Sequence, residues 1–184
     1  EKIDFFQTKS ALTPENQWKE YDQKKDFQSH TKVDKNTGNI ITRSEAYIYQ
    51  SLEKIVEYFL DDSNRKILDE SFKEGEIRDV YSGKLGVQDR DFSMIQLKAV
   101  LNKIVYLLAF SIENEKIPPQ PKKCTRAELI IGGWSLQEVE KGKCKCIYIT
   151  CSDLKGKIPQ YIKDQVSKMQ TNIAFRLKKV VEGK

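Results

Sequence analysis

Apolar positions fall along this chain in two periods, and the changes of period mark the elements. Residues 1–16 are weakly patterned; Phe5, Phe6 and Leu12 can anchor a short helix, and Thr13-Pro14-Glu15 reads as a turn or helix start. From Trp18 to Gln50 the period is two. Phe27, Ser29, Thr31 and Val33 share one face, Asn36-Thr37-Gly38-Asn39 marks a hairpin, and Ile40, Thr42, Ser44, Ala46 and Ile48 alternate after it. Residues 51–69 switch to helical period, with Leu52, Ile55, Val56, Phe59 and Leu60 on one stripe. Asp61-Asp62-Ser63-Asn64 breaks that helix before a shorter one at 64–69.

Strands are then predicted near 76–81, 90–101, 103–112, 125–139 and 144–152. Leu101-Asn102-Lys103 and Lys141-Gly142-Lys143 supply tight turns, and Pro118-Pro119-Gln120-Pro121 a rigid loop. Ile104, Tyr106, Leu108 and Phe110 alternate with Val105, Leu107 and Ala109, so this strand is apolar on both faces. Such a strand is covered on both sides, or lines a dry cavity with one of them. The chain closes on Ile158, Ile162, Val166, Met169, Ile173, Leu177 and Val180, one stripe of a helix over 158–182. It would be roughly 37 Å long, with Lys163, Asp164, Lys168, Gln170 and Lys178 on the opposite face.

At 184 residues the chain is long enough to fold on an apolar core without disulfide or metal. Its 32 basic and 27 acidic side chains leave +5, mixed along the sequence. A nucleic-acid binder concentrates its charge more, whereas mild basicity suits an anionic membrane surface. The longest apolar run, Ile104 to Phe110, falls far short of the ~20 residues a membrane helix needs. No signal-peptide pattern opens the chain, and Glu1 in place of Met points to an excised domain. The expected compartment is the cytoplasm, with the cysteines as free thiols.

Candidate chemistry is sparse. His30 sits in an alternating strand and reads as an exposed strand residue, without a nucleophile turn to serve. Cys144 and Cys146 share a strand face, Cys151 points the other way, and no Cys-x-x-Cys pair exists, so no metal site is expected. Gly132-Gly133 inside a strand reads as a bulge or close backbone approach. Arg43 and Glu45 read as a solvated pair; Asp89 and Asp91 face away from Arg90 and read as loop-edge ion-pair partners.

Three segments in order resemble the START domain, the lipid-transfer module related to the steroidogenic acute regulatory protein. They are GVQDRDF at 86–92, TRAELIIGGW at 125–134 and DLKGKIP at 153–159, with weaker likeness over 42–69. The likeness covers roughly 17–182 and is nearest the sterol-binding branch. It departs at Gln96, where sterol-binding members carry an arginine, and leaves Asp79 a guess as that arginine's acid partner. The opening helix is short, and the stretch from Asp69 to Arg90 is about one strand shorter than the family's.

The resemblance implies an α+β helix-grip fold: a curved antiparallel sheet wrapped around a long C-terminal helix, residues 1–184 forming one domain. It implies a tunnel that holds one lipid, sterol or phospholipid, carried or sensed between membranes. No catalytic residue, cofactor or metal is expected. The polar candidates are Arg90, Gln96 and Ser111. The wall candidates are Phe92, Met94, Tyr106, Leu108, Phe110, Trp134, Ile147, Ile149, Ile162, Val166, Met169 and Ile173. Residues 158–165 and the loop 82–89, made pliable by Gly83 and Gly86, would form the lid. A monomer in transient contact with membranes, and without a nucleic-acid partner, follows. Two alternatives remain: a catalytic helix-grip relative acting on a hydrophobic small molecule, and a protein-interaction module using Lys141, Lys143, Lys145, Lys178 and Lys179.

Overall fold

A short helix, α1 (Lys2–Ser10), opens the chain and is followed by strands β1 (Lys19–Lys24), β2 (Phe27–Val33) and β3 (Ile40–Ile48). Helix α2 (Leu52–Leu60), a 3-10 turn (Asp62–Asn64) and α3 (Arg65–Leu68) come next. Strands β4 (Phe72–Glu74), β5 (Arg78–Tyr81), β6 (Asp89–Leu101), β7 (Ile104–Ser111), β8 (Cys124–Arg126), β9 (Glu128–Glu140) and β10 (Lys143–Asp153) precede the final helices α4 (Gln160–Thr171) and α5 (Ile173–Val181). The computed structural model describes residues 1–13, 17–35, 37–68, 72–74, 78–83 and 87–183, the side chains of 62, 65, 66, 72–74, 78 and 79 excepted.

The sheet runs β1-β2-β3-β10-β9-β7-β6-β5-β4, antiparallel throughout, with β8 pairing parallel to the start of β6. It curls around α4 and α5, the helix-grip arrangement. Asn102 and Lys103 both take positive φ, the demand of a tight primed turn, at the β6–β7 hairpin where the sequence predicts one. In β9, Gly133 adopts φ +141, and a Cβ there would stand 2.2 Å from the Leu107 carbonyl oxygen. Gly133 is thus the close approach of β9 to β7, and only glycine permits it; a Cβ at Gly132 would meet the Leu129 side chain at 3.2 Å instead.

Both faces of the sheet are covered, which explains the strands that are apolar on both sides. The inner core joins Ala46, Ile48, Trp134, Leu136, Cys144 and Cys146 of the sheet to Ile55 of α2 and to Ile173, Ala174 and Leu177 of α5. The outer core joins Ile41, Tyr106, Leu108, Ile131, Ile149 and Cys151 to Phe6 of α1. Phe6, not Phe5 or Leu12, is the anchor: it is 1% exposed and meets Tyr106 edge-on at 6.1 Å, while the other two are exposed. Gln7 donates to the Tyr106 hydroxyl at 2.7 Å, and Trp18 Nε1 donates to the Ala11 carbonyl at 2.9 Å.

Cover by α1 overturns two expectations. Arg43 and Glu45 are not a solvated pair: both are buried and bonded to each other. Arg43 Nε donates to the Ser10 carbonyl at 2.7 Å, and Glu45 accepts from Gln28 at 3.1 Å and pairs with Lys145 at 3.4 Å. His30 is likewise buried rather than exposed, edge-on to Trp18 at 6.4 Å.

Three more expectations change. The final helix is two helices, because the Asn172 N–H bonds back to the Met169 carbonyl at 3.3 Å, an i→i−3 contact that tightens the last turn of α4. The stripe therefore rotates. Val181 is buried and Val180 is not, and Lys178 lies inside, donating to the Tyr47 carbonyl and pairing with Glu182, each at 2.7 Å. The strand expected at 125–139 is β8 followed by β9, and β4 was not expected. Asp91 is buried rather than at a loop edge, paired with Arg126 at 2.9 Å, while Asp89 accepts from the Gly83 N–H at 2.8 Å. The Asp79 side chain, Gly86, and Pro14 and Glu15 of the first expected turn lie outside the described residues.

Candidate functional site

Between the concave sheet and α4 lies a cavity of about 730 Å³. Its floor is β6, β7, β9 and β10; its roof is α4; Val56, Phe59 and Leu60 of α2 close one side. The other end is framed by Tyr81–Gly83, Val87 and the turn from Ser152 to Gly156. Phe59, Trp134 and Tyr148 form an aromatic row along the floor, with ring centroids 5.2 and 4.9 Å apart. The Tyr148 hydroxyl donates to Gln170 of α4 at 2.8 Å, so roof and floor are joined across the cavity.

Nine of the fifteen expected residues border it: Arg90, Phe92, Met94, Gln96, Trp134, Ile162, Val166 and Met169, together with Leu108, whose side chain packs in the outer core. Gln96 is exposed, and its side chain makes no hydrogen bond among the described residues. Arg90 is buried, and its guanidinium is largely spent on backbone: Nε donates to Leu154 O at 3.1 Å, Nη1 to Gln88 O at 2.5 Å and Nη2 to Lys155 O at 3.1 Å. It locks the DLKGKIP turn that launches α4.

The other six lie elsewhere. Tyr106 and Ile149 belong to the outer core, and Ile147 flanks a 200 Å³ depression beside α1. Phe110 lies under Lys2, whose Nζ is 4.5 Å from the ring centre. Ser111 accepts the Leu129 N–H at 2.8 Å, and Ile173 packs in the inner core. Lining residues that the sequence reading missed include Phe59, Leu107, Tyr148, Thr150 and Ser152.

Register explains both the hits and the misses. The tight β6–β7 turn pairs Gln96 with Ala109 and Lys98 with Leu107, so Met94 and Gln96 on the inner face exclude Tyr106 and Phe110 from it. That inference was available from the turn. In the β9–β10 hairpin, Glu140 pairs with Lys143, and a plain continuation would place Ile149 beside Trp134. A bulge between Lys143 and Cys144 adds one residue, so Trp134 pairs with Tyr148 instead. One residue of slip exchanges the faces.

All four cysteines are free and buried. Burial pushes the thiols of Cys144 and Cys151 up to about 11, and Cys146 higher still, so they stay protonated. Among the described residues no group of three or more His, Cys, Asp or Glu side chains gathers to hold a metal ion. Nor is any described helix long and apolar enough to cross a membrane.

A sheet gripping a terminal helix over a ligand-sized space defines the helix-grip class. The START domain family model matches residues 7–183, and the chain belongs to that family. No curated protein sequence matches it. Its fold is that of human StAR-related lipid transfer protein 5, at a TM-score of 0.80 and 18% identity over 98% of this chain and 92% of that one. Human STARD10 superposes at 0.78 with 16% identity, over 99% of this chain and 80% of that one. The lipid transfer and protein localization domain of human StarD13 superposes at 0.68 with 17% identity, over 88% and 87%.

Proposed function

We propose that residues 1–184 act as one lipid-binding unit, holding a single sterol or phospholipid in the cavity and carrying or presenting it between membranes, with no covalent step. The observation that carries this reading is the 730 Å³ space between sheet and α4, in a fold whose solved relatives are named lipid transfer proteins. That volume falls within the ~300–1,000 Å³ of small-molecule sites. Each methylene taken out of water contributes about 0.8 kcal/mol. Ten of them approach the ~8 kcal/mol of a micromolar complex, before ordering costs. Trp134, Phe92 and Met169 supply the apolar contact, and Gln96 is the free amide that would meet a lipid hydroxyl or carbonyl. Membrane contact would be made at the end framed by residues 81–83, 87 and 153–160.

Native mass spectrometry of the purified protein, followed by lipid extraction, tests the reading. The expected result is one lipid per chain, released chemically unchanged. Protein that carries no lipid and takes none up from sterol- or phospholipid-containing vesicles would overturn it.

A further inference from the structure

We propose that the lipid taken by this cavity is acidic, and that its anionic group sits at the cavity mouth against Arg90 and Lys163. The inference rests on the lipid-binding reading above and names the class of lipid. Among the described residues, the charged ones lining the cavity are Arg90, Lys98, Asp153, Lys155 and Lys163. Asp153 and Lys155 neutralise each other at 2.7 Å, and Lys155 also holds Glu128 at 3.0 Å. Arg90, Lys98 and Lys163 have no ion-pair partner among the described residues. Arg90 and Lys98 therefore face the space with no carboxylate against them, and Lys163 feels Asp153 only as the weakest of the influences on that carboxylate, which Lys155 already holds.

Arg90 weighs most, because Lys98 and Lys163 are exposed and water can solvate them. Arg90 is 8% exposed. Its three bonds go to the carbonyls of Gln88, Leu154 and Lys155, which use three of the five N–H groups of the fork and supply dipoles rather than a full negative charge. Buried charges are ordinarily paired. Burial lowers the guanidinium's pKa, the mark of a cation desolvated without an anion beside it.

The start of α4 adds to the same field. Pro159 offers no side-chain cap, the first turn holds no acidic residue, and Gln160, Ile162 and Lys163 of that turn line the cavity. The positive end of the helix dipole is uncompensated there. A carboxylate or phosphate at the mouth would meet the guanidinium, the Lys163 ammonium and the helix end together, its chain running inward over Phe92 and Met94. A lipid alcohol in the same place would leave all three charges unanswered.

The test titrates the delipidated full chain with oleate, with oleyl alcohol of the same chain length, and with acetate as a tail-free anion. Oleate is expected to bind roughly tenfold tighter than the alcohol, and acetate not to compete with it. Lys163→Gln should remove about half of that advantage, Arg90 keeping the rest. Lys98→Gln loses the same charge eight residues farther along β6, roughly 27 Å from Arg90, and should change the ratio little. Equal or tighter binding of the alcohol overturns the acidic-lipid inference and leaves lipid carriage standing. Equal losses in the two lysine variants overturn the placement, and acetate competing as strongly as oleate reduces the site to one for small anions. Failure of both oleyl probes, with no lipid seen by mass spectrometry, sinks lipid carriage itself.

Discussion

Tyr148 on β10 donates its hydroxyl proton to Gln170 on α4 across 2.8 Å, a side-chain link between the cavity floor and its roof. A partly buried hydrogen bond of this kind is worth about 1 kcal/mol net. Tyr148→Phe keeps the ring against Trp134 and removes only the link. It should lower the melting temperature by about 2–4 °C and speed lipid release, read by transfer to acceptor vesicles. Gln170→Leu should do the same, and the double variant should cost no more than either single one. Full additivity would mean that the two residues do not act through each other.

Gln96 is a polar group on the floor whose side chain has nothing bonded to it among the described residues. In Gln96→Leu the folded protein gives up no internal hydrogen bond, so stability should hold or rise slightly. Binding should weaken about fivefold for any lipid whose hydroxyl or carbonyl meets the amide. Unchanged affinity, measured on delipidated protein, would place the lipid's polar group elsewhere.

How much of this was legible in the sequence differs by element. The hairpin at Asn102-Lys103, the strands β6, β7 and β10 and the inner parity of β6 follow from local pattern, because turn chemistry and alternation are local. The inner faces of β7 and β10 do not follow from apolarity, since α1 covers the outer face and makes Tyr106 and Ile149 as apolar as Leu107 and Tyr148. Only register separates them, and the bulge after Lys143 conceals it in β10. The burial of His30, Arg43 and Glu45 is tertiary as well: the end of α1 reaches Arg43 from 33 residues away, as the Arg43–Ser10 bond shows, and Trp18 covers His30.

That covered layer predicts acid lability in two stages. His30 has its pKa lowered, first by burial and then by Arg43, against weaker upward pulls from Glu20 and Glu45. A histidine held neutral by the fold stabilises it fully above the unfolded value of ~6.5, and that contribution falls away as pH drops below it. Glu45 is pushed up by burial, but Arg43, Lys145 and Gln28 outweigh that and hold its carboxyl below the ordinary value. Its contribution is present above the unfolded value of ~4.3 and is lost as pH falls through the folded one. Urea melts should therefore weaken between pH 7 and 5.5, and again below about 4.3. His30→Gln should flatten the upper limb alone. An unaltered upper limb in that variant would exclude His30 as its source.

Met169 on α4 separates an open cavity from a filled core. Its side chain lines the space beneath the helix, on the side opposite the exposed Lys168. In a filled core, Met169→Trp overpacks and costs ~1–3 kcal/mol. Beside a cavity of 730 Å³, the indole has room and gains apolar contact with the floor. The delipidated variant should keep its melting temperature and lose most of its lipid uptake, because the ring occupies volume the lipid needs. Lys168→Trp, one residue round toward solvent, should change neither. A steep loss of stability in lipid-free Met169→Trp, with uptake per folded molecule intact, would mean that α4 covers packed side chains rather than a ligand.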